Sequence, residues 1–474
     1  MTKQEGILLR SENAQLKAEN AQLKAENALL FEKQFLLEVK VNSLEEKPEL
    51  ALKTLEQKSV KKNSSNSSLP PSSDIAPKIK SLRERSARPV GGQTGHTGHT
   101  LEMKSNPDVI IDLKSAFCEK CGASIENAPH VVVGKRQVVD FPPCTPIHTE
   151  YRQHACECPN CNNIQKTAFP SRVNAPVQYG PRIMAMVVYL SVFQYIPYRR
   201  LKNMFTHVFN LSLSEGTLNN LLRGATEKAK PVYEQIKAEI LASSVICSDE
   251  TSCKVNGKKF WMWIWQNVKN TFIVASPNRG FATIDAQFKD GFANAVLVSD
   301  RWAAQLKAVA KNHQLCMAHL MRDCLFLIEL EKINKFAVDM LALINQALAL
   351  RKKLIETGSP ADKEHPQAQS VEKQLNELLI WTLDPKTHPE TITFQKSILK
   401  HRAYIFPFLY DLDIPPDNNG SERGIRNIKV KQKISGQFKS GQHDFCVLRS
   451  VIDTLIKRKL NVFEMLNEIM KEPE

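Results

Sequence analysis

Three acidic residues and two cysteine pairs carry the chemistry this sequence offers. Asp249 follows the extended run SSVICS, Asp300 closes the apolar run ANAVLVS, and Glu422 falls in DNNGSERGIR at the start of a helical pattern. Carboxylates held a few ångströms apart repel, and a divalent cation is the usual reason for placing them so. Two Mg²⁺ ions bridged by such acids activate a water or a 3′-hydroxyl and stabilise the leaving oxygen of a phosphodiester. Taken singly, each acid has a plainer reading. An aspartate at a strand end forms turns, and Glu422 one helical turn before Arg426 makes a surface pair worth about a few tenths of a kcal/mol. The cysteines are Cys118-x-x-Cys121 and Cys158-x-x-Cys161, with Cys144 and Cys156 as further candidates. A CxxC turn aims both thiolates at one ion, and two such knuckles close a tetrahedral Cys₄ zinc site. With no open coordination position, that zinc is structural.

The elements around the acids decide between these readings. SSVICSDETSCKV is extended up to an Asn256-Gly257 turn, and KKFWMWIWQNV and TFIVASPN complete an antiparallel three-stranded meander. Thr283 to Phe288 is helix-like, ANAVLVSD is an apolar strand, RWAAQLKAVA reads as a helix and HQLCMAH as another strand. The order β-β-β-α-β-α-β is the ribonuclease H topology, whose first and fourth strands lie side by side, so Asp249 and Asp300 meet at one rim. The third acid then comes from a later helix, with Asn418 or Asn419 at its cap and Glu422 in its first turn. Arg423, Arg426, Lys429, Lys431 and Lys433 follow along that helix, where they can neutralise phosphates. Trp261, Trp263 and Trp265 share one strand face and read as core.

Upstream, Leu9, Leu16, Leu23, Leu30, Leu37 and Leu44 recur every seventh position, and Asn13, Asn20 and Asn27 occupy the matching a positions. Buried asparagine at a fixes register and favours two parallel strands, which predicts a homodimeric coiled coil. NSSNSSLPPSS from Asn63 to Ser73 is a tether, followed by Lys78, Lys80, Arg83, Arg85 and Arg88 and the glycine-rich GGQTGHTGHT. Between the cysteine pairs, HVVVGKRQVVDF and CTPIHTEYRQHA look like short strands. Pro176 to Ala242 is helical, and LSLSEGTLNNLLRGA has the form of the second helix of a helix-turn-helix, with Ser214 as cap and Leu218, Leu221 and Leu222 on its apolar face. An ordinary helical hairpin fits the same pattern.

Lys plus Arg number 64 and Asp plus Glu 50, a net charge of +14 over 474 residues, which favours a polyanionic partner. Hydrophobic residues are 42% of the chain, enough for real cores. The opening MTKQEGILLRSENAQ lacks the apolar stretch of a secretory signal, and the longest apolar run, Ile183 to Ile196, is too short to span a bilayer and reads as a buried helix. Eleven cysteines without an export signal fit a reducing, cytoplasmic setting.

The strand ending in DET at Asp249 to Thr251, SDRWAA at Ser299 to Ala304, CMAHLMRD at Cys316 to Asp323 and DNNGSERGIR at Asp417 to Arg426 closely resemble the transposases of the insertion sequence 66 family. NSSLPPSSD, GGQTGHTGHTL, the paired CxxC module and SLSEGTLNNLL are similar to that family in the same order. The resemblance implies a DDE transposase of a bacterial insertion sequence, with Asp249, Asp300 and Glu422 as the Mg²⁺-binding triad. It implies partners too: terminal inverted repeats, target DNA and accessory proteins encoded by the element. His319 falls where the family has its histidine, implying a supporting role beside the second acid, against the plainer reading of a hydrogen-bonded structural histidine. Where the family has a basic pair after its histidine motif, this chain keeps Arg322 alone, after Met321. The expected organisation is multidomain: coiled coil over 1–60, basic linker over 61–100, zinc module over 101–175 and helical DNA-binding-like segment over 176–242. An α/β ribonuclease H-like catalytic domain then occupies 243–324 and 404–474, with a helical insertion at 325–403 implied by the resemblance. A nuclease or resolvase that cuts without joining is the enzymatic rival, and a zinc-dependent DNA-binding protein with a decayed catalytic domain the non-enzymatic one.

Overall fold

The computed structural model describes residues 101–331 and 334–471, with the single positions 19, 33, 34, 95 and 97. Apart from those positions, the expected coiled coil and basic linker lie outside the described residues. The elements run β1 (Ala155–Glu157), β2 (Ile164–Lys166), α1 (Pro181–Val188), α2 (Tyr198–Val208), α3 (Glu215–Leu241), β3 (Val245–Val255), β4 (Lys258–Gln266) and β5 (Thr271–Ser276). They continue with α4 (Phe281–Gln287), β6 (Phe292–Ser299), α5 (Ala303–Lys307), β7 (Ala310–Leu315), α6 (Met317–Leu330), α7 (Lys335–Thr357), α8 (Pro366–Leu379) and α9 (Pro389–Lys400). Last come α10 (Pro407–Tyr410), α11 (Asn419–Ser435), α12 (Gln442–Lys457) and α13 (Val462–Met470). The strand order is β5-β4-β3-β6-β7.

From Leu101 on, the chain divides into two compact units, one holding Leu241–Asp249 and Asn278–Arg423, the other the stretch from Leu101 to Ile240, Glu250–Pro277 and the chain from Gly424 onward. In the first unit the opening half of β3 pairs parallel with β6 (Val245↔Val296 to Cys247↔Val298), and β6 pairs parallel with β7 up to Ser299↔Leu315. The last five residues of β6, Ala295 to Ser299, are all buried, which is why the run is continuously apolar rather than alternating. Val298, Leu315, Met317 and Leu320 share one hydrophobic core with Phe336, Met340, Ile344, Val371, Phe394 and Phe408. The helices over 325–403 are therefore not a separate globule, because they complete the core under the strand ends. Asn334 starts α7 by accepting the Ala337 N–H at 2.9 Å, and Gly358, left-handed at φ 70°, ends it.

In the second unit β4 and β5 are antiparallel, and the turn before β4 places Asn256 and Gly257 at φ 46° and 76°, the pair of left-handed residues that a two-residue hairpin requires. Trp263 and Trp265 are fully buried and stack at 5.7 Å, as their placement in the core predicts. The edge strand β5 is covered by α12: the Ser450 hydroxyl accepts the Ile273 N–H at 2.9 Å and Thr454 accepts the Thr271 N–H at 3.1 Å. The 27-residue α3 begins where Ser214 accepts the Thr217 N–H at 2.9 Å, and Leu218, Leu221 and Leu222 are buried as their spacing predicts. Ser191 and its apolar neighbours are buried, as expected of the run around α1.

Three expectations are corrected. HVVVGKRQVVDF forms no strand and CTPIHTEYRQHA none until its last residue, Ala155, opens β1, and Val131, Val133, Val139, Phe141 and Ile147 stay exposed. High β-propensity yields a strand only where a neighbouring strand takes the backbone groups and a face is buried. CMAH is not strand but the start of α6: Cys316 turns the chain, and the Met317 N–H is taken by the Pro416 carbonyl at 2.8 Å. The helix expected over RWAAQLKAVA is shortened to Ala303–Lys307, because Ala310 already belongs to β7.

Candidate active site

The parallel register sets the site. Two residues past the last β3–β6 pair, Cys247↔Val298, the chain reaches Asp249 on one strand and Asp300 on the other, level with each other. Both are partly exposed. Beyond β6, Asp300 Oδ1 accepts the Trp302 N–H at 2.9 Å, an Asx turn that holds its carboxyl near the strand end. Trp302 is pinned in turn, with its indole N–H on the Arg279 carbonyl at 3.2 Å and the Arg279 guanidinium over its ring at 3.8 Å. Arg301 reaches the other way, to the Asp323 carboxylate of α6 and, at 3.1 Å, to the Ser397 hydroxyl of α9. The helices beneath the sheet thus brace the residue next to Asp300.

Glu422 is brought to the same end by one buried asparagine. Asn418 Nδ2 donates to the Ser248 carbonyl at 2.6 Å, immediately before Asp249, and the Asn418 N–H donates to Cys316 Sγ at 3.2 Å. Asn418 is fully buried. The start of α11 is therefore tied both to β3 and to the junction of β7 with α6, with Glu422 in its first turn. The expected cap is realised differently: the Asn419 N–H goes to Asp417 Oδ1 at 2.9 Å, and the Asn418 amide serves as a cross-link. Burial pushes the Cys316 thiol up to about 12, so it is a neutral acceptor and neither a nucleophile nor a thiolate ligand.

Glu422 does not pair with Arg426. Its two carboxylate oxygens face the two Nη atoms of Arg322, at 3.1 and 3.4 Å, and His319 Nε2 lies 4.0 Å from Oε1. His319 and Arg322, three apart on α6, share a face. Burial holds the His319 imidazole below its ordinary value, against the opposing pull of Asp300 and Glu422, so the ring is neutral at physiological pH. Its Nδ1 is buried without a partner, as are Asn418 Oδ1 and Ser248 Oγ. The family position of His319 is thus in the acid cluster, on a helix rather than a strand.

Among the described residues, no three His, Cys, Asp or Glu side chains close into a ready-made metal cage. The donors present at the acid cluster are hard oxygens, the set that Mg²⁺ or Mn²⁺ takes. In the cysteine module each pair forms its own tight turn: Gly122 N–H to Cys118 carbonyl at 2.9 Å and Asn162 N–H to Cys158 carbonyl at 2.8 Å. Backbone N–H groups of Lys120 and Cys121 hold the Cys118 thiol below its usual range, and those of Asn160 and Cys161 do the same for Cys158. Such turns fit half a thiolate site each. All of these cysteines are free thiols, Cys144 and Cys156 among them.

The basic residues after Glu422 separate by environment. Arg423, Arg426 and Lys433 are exposed. Lys429 Nζ donates to the Ser252 carbonyl at 2.8 Å, and Lys431 is half-buried in a cavity of about 310 Å³ also lined by Tyr198, Asn219 and Lys439. Burial lowers the ammonium of both.

The protein is of the α/β class, a mixed sheet with many helices, with Asp249 within β3, Asp300 just past β6 and Glu422 on a later helix. Residues 176–443, over half of the chain, match the Transposase IS66 family, and the chain belongs to that family. It is accordingly a DNA-processing enzyme of a mobile element. Residues 9–102 match a family of unknown function, DUF6444. No curated protein matches the chain. Among the described residues, no helix is long and apolar enough to cross a membrane.

Proposed function

We propose that this transposase works as a DDE enzyme on a ribonuclease H-like sheet, with Asp249, Asp300 and Glu422 as the metal-binding acids. The observation that carries the reading is the Asn418 cross-link, which fastens the helix of Glu422 to the backbone beside Asp249 while the β3–β6 register levels Asp249 with Asp300. Bound there, two Mg²⁺ ions would activate the attacking oxygen and stabilise the leaving one. The chain's own residues do the rest. The parallel β3–β6 register holds Asp249 and Asp300 at fixed spacing, His319 lies 4.0 Å from Glu422, and exposed Arg423, Arg426 and Lys433 draw in the phosphates of the element end. The strand order β5-β4-β3-β6-β7, antiparallel between β4 and β5 and parallel from β3 to β7, supports the fold assignment.

Cleavage frees a 3′-hydroxyl at each element end, and the same site directs that hydroxyl at a target phosphate. Two protomers joined through the leucine heptads would hold the two inverted repeats together. Zn²⁺ on Cys118, Cys121, Cys158 and Cys161 would serve the 101–175 module structurally, with Cys144 and Cys156 as alternative ligands.

The test is an assay of cleavage and strand transfer on DNA carrying the element's own ends, with Mg²⁺. Wild-type protein should give joined products, and Asp249→Asn and Asp300→Asn should give neither cleavage nor joining while still shifting the DNA in a gel. Cleaved ends without joined products would point to a nuclease or resolvase. Normal cleavage by either variant would remove the triad assignment.

A further inference from the structure

Glu422 is placed as a metal ligand by the reading above, yet in the fold both of its oxygens face a guanidinium. Arg322 meets the carboxylate as a fork, Nη1 to Oε1 at 3.1 Å and Nη2 to Oε2 at 3.4 Å. The pair is about four-fifths buried, with side-chain exposures of 21% and 22%. An exposed surface pair is easily dispensed with, whereas a largely buried fork of this geometry is a strong charge-assisted contact. The fork makes one contact to each oxygen, so a divalent cation on Glu422 would have to share the carboxylate with a guanidinium of the same sign, and the two repel.

The surroundings give the fork its purpose. Asp249, Asp300 and Glu422 gather negative charge at one end of the sheet, and gathered carboxylates are unfavourable unless a cation offsets them. Arg301, on the same side, already holds Asp323 and Ser397. Arg322 projects from α6 toward the acids on the same face as His319, and it supplies positive charge from within the chain. A guanidinium fork matches a phosphate as well as it matches a carboxylate. A DNA phosphate arriving at the site would compete for Arg322, and a divalent cation would compete for Glu422. Each event relieves the fork from a different side, so each eases the other.

We propose that Arg322 is a built-in counter-ion that holds Glu422 until a divalent cation and a DNA phosphate divide the pair between them, making metal binding and DNA binding mutually cooperative at this site. The inference rests on the triad reading of the preceding subsection and adds to it the regulation of the same site. Its thermodynamic form is a coupling free energy, which requires that DNA tighten metal binding by the same factor by which metal tightens DNA binding.

The test measures Mn²⁺ binding directly, by the electron paramagnetic resonance signal of free Mn²⁺, on the full chain with and without a mixed-sequence DNA duplex. Four proteins are compared: wild type, Arg322→Gln, Arg322→Lys and Asp300→Asn. The duplex should tighten Mn²⁺ binding to wild type by about tenfold. Arg322→Gln should bind Mn²⁺ about tenfold more tightly than wild type without DNA and gain little more when DNA is added. Arg322→Lys, which keeps the charge and loses the fork, should fall between them. In thermal unfolding Arg322→Gln should melt below wild type without metal and recover when Mn²⁺ is added. Should Arg322→Gln fail to fold, the comparison of Arg322→Lys with wild type decides. Mn²⁺ affinity unchanged or weaker in the Arg322 variants, while Asp300→Asn still abolishes it, overturns the counter-ion role and leaves the triad standing. A gain on adding duplex that all Arg322 forms share equally is ion accumulation on the DNA and also overturns it. Mn²⁺ binding that survives Asp300→Asn overturns the triad reading, and the counter-ion falls with it.

Discussion

Asn418 shows how much of the candidate site depends on a residue that has no part in the chemistry. Its amide bonds the Ser248 carbonyl and its N–H bonds Cys316 Sγ, so its removal leaves a buried carbonyl without a partner. Asn418→Ala should lower unfolding stability by about 1–3 kcal/mol, read from the urea midpoint at unchanged slope. DNA cleavage should fall with it, because the helix start that presents Glu422 loses its anchor. Asn418→Ala with full stability would show that the cross-link contributes nothing. Asp249, Asp300 and Glu422 stand out in the sequence because one lies in an extended run, one follows an apolar strand and one falls in the first turn of a helical pattern. Arg322 does not, because CMAH reads equally well as strand, where His319 and Arg322 would fall on opposite faces. Read with a helical period, the same residues lie on one face and point to a shared partner.

At the scale of elements, the edge of the sheet and the packing of α11 carry the sharpest expectations. The outer N–H groups of β5 are answered by hydroxyls from α12 rather than by another strand, which leaves no free edge there for a second chain. Thr454→Val keeps the shape and removes the acceptor, so it should cost about 1–3 kcal/mol and speed hydrogen exchange at the Thr271 amide. Gly424 is a different device, since a Cβ there would come within 2.4 Å of Ile264 Cδ1, and Ile264 is fully buried. Gly424→Val should therefore destabilise the protein by about 1–3 kcal/mol through overpacking, measured by thermal melting. The β-β-β-α-β-α-β order, the Asn256-Gly257 hairpin and the buried tryptophans all follow from local pattern and turn chemistry. The segments between the cysteine pairs do not, because a strand depends on a partner that no local pattern names. The shared core of the 325–403 helices with β6 and β7 was equally hidden, since their apolar faces look alike whether they meet one another or the sheet.

At the scale of the whole molecule, acid should unfold the protein in part through one buried imidazole. His313 of β7 is 6% exposed, and burial lowers it below its ordinary 6.5. The unfolded chain therefore binds the proton first as pH falls. Stability from this residue is fully present above about pH 6.5 and is lost as pH drops from there toward the depressed folded value. His313→Gln, which cannot take up the proton, should flatten the stability profile on the acid side of 6.5, as followed by urea unfolding at stepped pH. An unflattened profile would assign the acid limb to the other buried imidazole, His319, and to carboxylates. Assembly also has a time dimension. The contact between Asn418 and Ser248 joins residues 170 apart in the chain, and at ordinary elongation rates of ~5–20 residues per second that gap is about ten to thirty seconds of synthesis. Asp249 and Asp300 leave the ribosome first and wait, and the site is closed only when the segment from Asp417 onward emerges. A nascent or prematurely ended chain thus carries two of the three acids proposed for the site and lacks the third.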